Sequence, residues 1–533
     1  MSAPSAATGA VSNKLDAGVL KIAGVVVLGA IMSILDVTVV SVALPTFILK
    51  FNTTYATAAW TMTGYTLALA TVIPLTGWAA DRFGTKRLYM AALALFAIGS
   101  ALCSISNSIG MLITFRVLQG LGGGMLMPLG MTILTRAAGP ERIGRIMAVL
   151  GVPMMLGPIG GPILAGWLLE VASWHWLFLI NVPIGVISLV YAAYVLPKDN
   201  PTPSESFDFI GMALLSPGLA LFLFGVSSIP QENTVAAARV LIPGIIGLAL
   251  VVAFVWWAGR PEHPLIDLRL LKDRNMAVAV ITLTLFAVSF FGAMLLFPSY
   301  WLQVRGQDTL HAGLLQTPTG IGVMFTMPIA GMLADKVGAG KIVLPGIVAI
   351  CAGMAVFTGV GASTSYVLLL GALFVMGLGM GATMMPIMTA ALQTLKEHQV
   401  ARGSTLMNII SQIGSSIGTA IMSVILTNDI MGKPLAKVAT NQAAVRQQLA
   451  ELTKQLPAVQ QAHPDQVPAL QQQTGELTQA LTPGALHQGL SQAAGSFGLT
   501  FTVALVLVAL CVIPAFLLPR GKPATATSAP LPG

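Results

Sequence analysis

Apolar and polar positions along this chain are sorted into long blocks. Apolar runs of membrane length cover approximately 19–48, 56–79, 88–106, 109–134, 144–169, 175–196, 209–229, 238–258, 277–303, 311–333, 342–361, 366–392, 403–427 and 496–518, about fourteen in all. Inside hydrocarbon each backbone N–H and C=O must be paired within its own segment, so every run is predicted as a helix. The polar breaks are short with one exception, Asn428–Ser496, rich in Gln, Ala and Leu. There Ala443–Gln455 has amphipathic helical spacing, while Pro457, Pro464, Pro468 and Pro483 cut the rest into short pieces. A solvated cap or partly disordered loop is the expectation for it; a docking surface for a partner is the alternative.

The pattern repeats. Pro74–Arg87, PLTGWAADRFGTKR, lines up with Pro328–Lys341, PIAGMLADKVGAGK, at a constant offset, and Gly120, Gly122 and Gly124 find a weaker echo in Gly377, Gly379 and Gly381. Two repeated halves of six helices leave two helices over, and the pair skipped by the repeat lies between them. The predicted fold is therefore an all-α membrane protein of two six-helix bundles plus two extra helices. Its parts are a tail (1–18), the first bundle (19–197), a linker with the extra pair (198–258), a second linker (259–275), five helices of the second bundle (276–427), an extracytoplasmic loop (428–495), the last helix (496–518) and a tail (519–533). Many secondary transporters build alternating access from such halves, with substrate held near the midplane.

Composition agrees: 9% charged residues, 55% hydrophobic and a mean hydropathy of +0.83 are far from a soluble domain, where about 25% of residues are charged. The net charge of +8 is scattered over short connections and forms no basic face, which argues against nucleic acid. With the N-terminus inside, the inner connections hold nineteen Lys and Arg and the outer ones seven, so both termini are placed in the cytoplasm. The exception is Pro197–Asp208, where Lys198 is outnumbered by Asp199, Glu205 and Asp208. Cys103, Cys351 and Cys511 fall within apolar runs and suggest no disulfide, and the first run is too long for a cleaved signal. The six histidines have no metal-ligand spacing, and GxxxxGK[ST] does not occur, so neither an enzyme nor an ATP-driven pump is expected.

Two charges stand out because hydrocarbon penalises them by at least ~2.5–3.5 kcal/mol each. Arg116 lies roughly 10 Å inside its run, and Asp36, the one carboxylate well inside a span, lies roughly 10–15 Å from the outer end of the first. Two groups at matching depth are natural partners. An ionised Asp in low dielectric is driven toward protonation unless a cation or water compensates, so Asp36 can load and release a proton as its surroundings alternate. A permanent pair that only positions helices is the competing reading. At the inner edge, Gly77, Asp81, Arg82, Gly84, Lys86 and Arg87, with Gly331, Asp335, Gly338 and Lys341 in the repeat, form gating-loop candidates, and Asp81 is expected to cap the next helix. Gly157, Pro158, Gly160, Gly161 and Pro162 predict a kinked, tightly packed fifth helix. Pocket candidates are Tyr65, Gln119, Asn181, Phe290, Gln316, Asn408 and Gln412, inward-facing aromatics and amides suited to lipophilic cations.

These residues carry a resemblance. Leu35–Pro45 (with Ser41 where Asn is frequent), Gly77–Arg87 (with Thr85 where a basic residue is usual), Arg116–Gln119–Gly120, Gly151–Pro162 and Trp174–Gly185 occur in the order seen in the EmrB/QacA-like, fourteen-helix drug:proton antiporter family of the major facilitator superfamily, which the chain resembles over nearly all of its membrane part. The resemblance implies a proton-coupled multidrug exporter in a bacterial plasma or inner membrane, working by alternating access without a cofactor and with the proton gradient as energy source. It implies that the helix-1 aspartate, Asp36, handles protons and cationic drugs, that Arg116 takes part in proton transfer, and that the loops latch the halves outward-facing. Partners are then amphiphilic substrates, protons, membrane lipids and a periplasmic adaptor protein. A dedicated exporter of an endogenous metabolite, lipid or siderophore would share these motifs, and a non-transporting scaffold or receptor is the reading from another class.

Overall fold

The structure is a computed structural model and describes residues 16–138, 157, 160–161, 163–199, 206–232, 236–393, 395, 399–462 and 467–520. The chain is built from helices: α1 (Ala17–Phe51), α2 (Tyr55–Phe83), α3 (Thr85–Ser104) and α4 (Ile109–Ala138), then α5 (163–171) and α6 (Trp176–Val195). The extra pair is α7 (Phe209–Glu232) and α8 (Ala238–Trp257). The second half holds α9 (Arg274–Gln303), α10 (Thr317–Val337), α11 (Ala339–Thr358), α12 (Tyr366–Leu392) and α13 (Val400–Met431). After α14 (Pro434–Thr440), α15 (Gln442–Ala462) and α16 (Val467–Ala480) comes α17 (Pro483–Leu510). Among the described residues thirteen helices are long and apolar enough to cross a membrane. Most of the expected fifth span falls outside the described residues.

The first half packs α4 against α2 and α3; the second packs α12 against α10 and α11 in the same way. Glycines set the distance. A Cβ at Gly120 would strike the backbone of Tyr65, at Gly122 that of Ala92 and Phe96, and at Gly124 that of Leu69. In the second half Gly377 meets Thr319, Gly379 meets Gly346 and Ile350, and Gly381 meets Val323. Tyr65 and Thr319, Leu69 and Val323, Ala92 and Gly346, and Phe96 and Ile350 stand at the same offset as Pro74 and Pro328. The faint glycine echo is thus one helix-packing device used twice. Gly84 and Gly338 also share a backbone conformation, with φ 93° and 92°.

The halves meet where α13 lies against α2 and α4. α7 also packs on α2 and α13, while α8 packs on α7. Ser216 donates from α7 to the Thr71 carbonyl at 2.7 Å, and Trp60 stacks on Phe224 at 5.4 Å. The extra pair therefore braces the seam between the halves.

Two differences from the sequence expectation have clear causes. The stretch 428–495 is largely helical: α14 buries Ala436 and Ala439 against α17, and α15 spans more than Ala443–Gln455, with Pro457 accommodated inside it. α17 begins at Pro483, well ahead of the apolar run from 496, because Gly489, Ala493 and Ala494 are small enough to bury against neighbours despite the polar residues between them. Asp199 and Asp208, the acids that spoiled the charge count, are engaged structurally. Asp208 accepts from Gly211 N–H at 2.7 Å, Trp257 Nε1 at 2.9 Å and Leu265 N–H at 3.1 Å, tying α7 to the end of α8.

Candidate functional site

Arg116 and Gln119 are three residues apart on α4 and so share one face. That face is turned into the first bundle, where Arg116 is 0% and Asp36 2% exposed. Arg116 Nη1 donates to Asp36 Oδ2 and to Gln119 Oε1 at 2.8 Å, and Nε donates to the Thr61 carbonyl at 3.0 Å. Gln119 Nε2 donates to Asp36 Oδ1 at 2.8 Å. Asn181, at the start of the long part of α6, donates through Nδ2 to the same oxygen and to Ser100 Oγ, both at 3.1 Å. Ser100 in turn donates to the Phe178 carbonyl at 2.9 Å. The Tyr65 ring lies 4.2 Å from the guanidinium carbon, and the Cys103 thiol donates to Gln119 Oε1 at 3.6 Å. Helices α1, α2, α3, α4 and α6 all contribute.

The arrangement is that of an ionised carboxylate. Asp36 accepts three hydrogen bonds, one from a guanidinium, and charge-assisted bonds of this kind offset the desolvation of a buried pair. Tyr65 adds a cation–π contact. In the second repeat the places of Arg116 and Gln119 are taken by Leu373 and Met376, both buried, so among the described residues the charged network belongs to the first half.

At the loop, Asp81 Oδ1 accepts from Arg136 Nη2 at 3.2 Å, and Asp81 Oδ2 lies 3.9 Å from Arg402 Nε on α13. Gly77 faces Arg402 and Thr405 of α13 closely, so that an added Cβ would lie 3.3 Å from the Thr405 hydroxyl and 3.5 Å from Arg402. The halves are therefore closed on the side of this loop. The expected cap is corrected: Asp199, not Asp81, caps α3, accepting from Lys86 N–H at 2.8 Å and Arg87 N–H at 3.0 Å. Lys86 Nζ returns the favour by donating to the Ala193 and Leu196 carbonyls at the end of α6, at 2.7 and 2.8 Å. Asp81 is drawn away because two guanidinium groups offer it more than exposed amides do. Arg82 and Arg87 are exposed. In the repeat Gly331 is buried and Lys341 exposed; the Asp335 side chain lies outside the described residues.

Gly84 is the tightest point of this loop. Its φ of 93° suits glycine, and an added Cβ would overlap the Asp199 carboxylate. Gly84→Ala is expected to cost about 1–3 kcal/mol of backbone strain and a further ~1 kcal/mol of lost capping. A clear drop in the Tm of the purified protein checks this, with Gly110→Ala, which meets nothing within 4 Å, as the neutral control.

In the fifth helix Gly157 and Gly161 face Ile34 and Thr38 of α1, and the Thr38 hydroxyl donates to the Gly157 carbonyl at 3.1 Å. A Cβ added at Gly160 would lie in ordinary contact, 3.7 Å from Leu35. Pro158 and Pro162 lie outside the described residues. The seven pocket candidates do not line one cavity in this conformation. Tyr65, Gln119 and Asn181 join the Asp36 network. Phe290 is 1% exposed and stacks on Phe286 at 5.2 Å within the π-helical turn Ala287–Phe291. Asn408 donates to Ser404 O at 2.8 Å and to Met131 Sδ at 3.3 Å, at the α13–α4 seam. Gln412 lies with Ala70, Ile73, Leu219 and Ile409 at the junction of α2, α7 and α13, and Gln316 precedes α10. Sequence reasoning missed Thr61, Ser100, Arg136, Asp199 and Arg402 as parts of these networks. Only Asp199 left a signal, as an acid on the side where basic residues dominate.

Comparison with known proteins places this geometry in context. Residues 26–419 match the family described as the Major Facilitator Superfamily. The chain is 49% identical, over 95% of its own length and 91% of the relative's, to a protein of Mycobacterium tuberculosis (strain ATCC 25618 / H37Rv) named multidrug resistance protein B homolog. It is 30% identical to the multidrug export protein EmrB of Escherichia coli (strain K12), over 75% of this chain and 79% of that one. Among solved structures, the human organic anion transporter MFSD10 (TETRAN) superposes with a TM-score of 0.56 at 15% identity, covering 92% of this chain and 99% of its own, which speaks for the fold alone.

Proposed function

We propose, from the premise that the chain belongs to the Major Facilitator Superfamily and is a multi-pass membrane transporter rather than an enzyme, that it exports amphiphilic, often cationic compounds in exchange for protons. The observation that carries the coupling is Asp36, sealed from water and held by Arg116, Gln119 and Asn181. The names of its relatives support the substrate class. Protonation of Asp36 from outside loosens its hold on Arg116 and lets the carrier return inward-facing. A cationic substrate arriving from the cytoplasm or inner leaflet then favours the ionised form. Loss of the proton inward restores the pair, and reopening outward releases the compound.

On this reading the Asp81–Arg136–Arg402 contact and the Gly77 packing hold the inner side shut, the termini lie in the cytoplasm, and the membrane is the bacterial plasma or inner membrane. The helices α14–α16 are the outward feature within reach of a periplasmic adaptor, and the proton gradient is the energy source. Proteoliposomes loaded with a panel of dyes and given an imposed pH gradient test the proposal. Dye movement should follow the gradient and stop when a protonophore collapses it. Movement indifferent to the gradient would overturn the coupling, and failure of every amphiphile in the panel would favour the dedicated-exporter reading.

A further inference from the structure

The Asp36 network raises a question of hydrogen-bond bookkeeping. Resting on the reading that Asp36 carries the proton, it must tolerate a neutral carboxyl as well as an ionised one. A carboxylic acid needs an acceptor for its O–H, and every partner of Asp36 among the described residues donates. The Oδ2 side cannot change, because the Arg116 guanidinium has no acceptor to offer. The new proton therefore goes to Oδ1, where two amides meet.

Those amides are not equivalent. Gln119 Oε1 already accepts from Arg116 Nη1 and the Cys103 thiol, so turning it over would set its NH₂ against two donors. Asn181 is free of that conflict. Its Nδ2 donates to Asp36 Oδ1 and to Ser100 Oγ, and Ser100 is a hydroxyl, whose proton can swing from the Phe178 carbonyl to a new acceptor. Turning the Asn181 amide over gives a consistent second network, in which the Asp36 O–H and the Ser100 O–H both donate to Asn181 Oδ1. Arg116 and Gln119 keep their places.

We infer that Asn181 is the positioning residue that follows the protonation state of Asp36: its side-chain amide turns over when the carboxyl takes up a proton, and the Ser100 hydroxyl turns with it. The other titratable groups facing Asp36 among the described residues are Arg116 from α4, Tyr65 from α2 and Cys103 from α3; α6 brings only the amide, and the segment ahead of α5 brings Gly157, Gly160 and Gly161 against α1. Because Asn181 begins the long stretch of α6 while Lys86 and Asp199 fasten the other end of that helix to the gating loop, the amide sits on the element that links the proton site to the gate.

Infrared difference spectra of the full-length protein in lipid, recorded between alkaline and acidic buffer, test the inference. The wild type should show a protonated-carboxyl C=O band that is absent from Asp36→Asn. In Asn181→Leu, where the O–H has lost its acceptor, the band should move to higher wavenumber, and Asn181→Val serves as the second variant should Leu impair folding. Gln119→Leu should leave the band in place. An unmoved band in both Asn181 variants, or an equal shift in Gln119→Leu, would overturn the role of Asn181 while leaving Asp36 as the titrating group. A band that persists in Asp36→Asn would instead remove Asp36 as the proton carrier.

Discussion

Asp36→Asn is expected to reduce gradient-driven efflux to the level of empty vesicles while the protein still inserts and folds. Asn is close to Asp in shape and cannot change charge, so the substitution separates proton carrying from packing. Its carbonyl still accepts from Arg116. Its NH₂ replaces Oδ1 and confronts the Gln119 and Asn181 amides, a mismatch of about 1–3 kcal/mol if left unmet, which turning Asn181 over relieves on its own side only. Stability should therefore fall modestly at most, and the variant should run as a single species in size-exclusion chromatography. Full ethidium extrusion by cells expressing it at normal levels would remove Asp36 from the mechanism.

Arg116→Leu should be the more damaging change to the fold. Arg116 is fully buried and bonded to three residues on three helices. Breaking a buried ion pair from one side costs about 3–5 kcal/mol, because the remaining charge is left uncompensated. Transport should be lost together with stability. The decisive comparison is the double variant Asp36→Asn/Arg116→Leu, which has no orphan carboxylate: its Tm should recover part of what Arg116→Leu loses, a coupling that only partners in contact produce. Efflux should not recover. Additive losses of Tm would show that the two residues are energetically independent, contrary to the contact seen here. Arg116→Lys should fall between, since an ammonium keeps the charge but lacks the planar fork that reaches Asp36, Gln119 and Thr61 together.

Much of this architecture can be read from the chain because membranes impose strong rules. A run of about 20 apolar residues has few alternatives to a helix, so most spans are found with ends displaced by a few residues, although the last helix starts well ahead of its apolar run, at Pro483, and most of the fifth lies outside the described residues. The repeat could be read as well, since Gly84 and Gly338 need the same unusual backbone, and Gly120, Gly122 and Gly124 meet the same neighbours as their counterparts. The closeness of Asp36 and Arg116 follows from cost, as two charges in hydrocarbon require each other. What stays hidden is partnership at long range. Nothing near Asp199 announces that it caps a helix more than a hundred residues earlier, and Ser100 and Thr61 have no distinguishing local pattern. Pocket residues were hardest to read, because an amide suited to a ligand is equally suited to a buried carboxylate, which is where Gln119 and Asn181 went.

The central claim, that a proton leaves Asp36 as the substrate is taken up, is tested most directly by measuring proton release from the purified protein in weakly buffered solution when ethidium is added. The wild type should acidify the medium in proportion to the ethidium bound, and Asp36→Asn should bind with no acidification. Equal proton release from both would contradict the account.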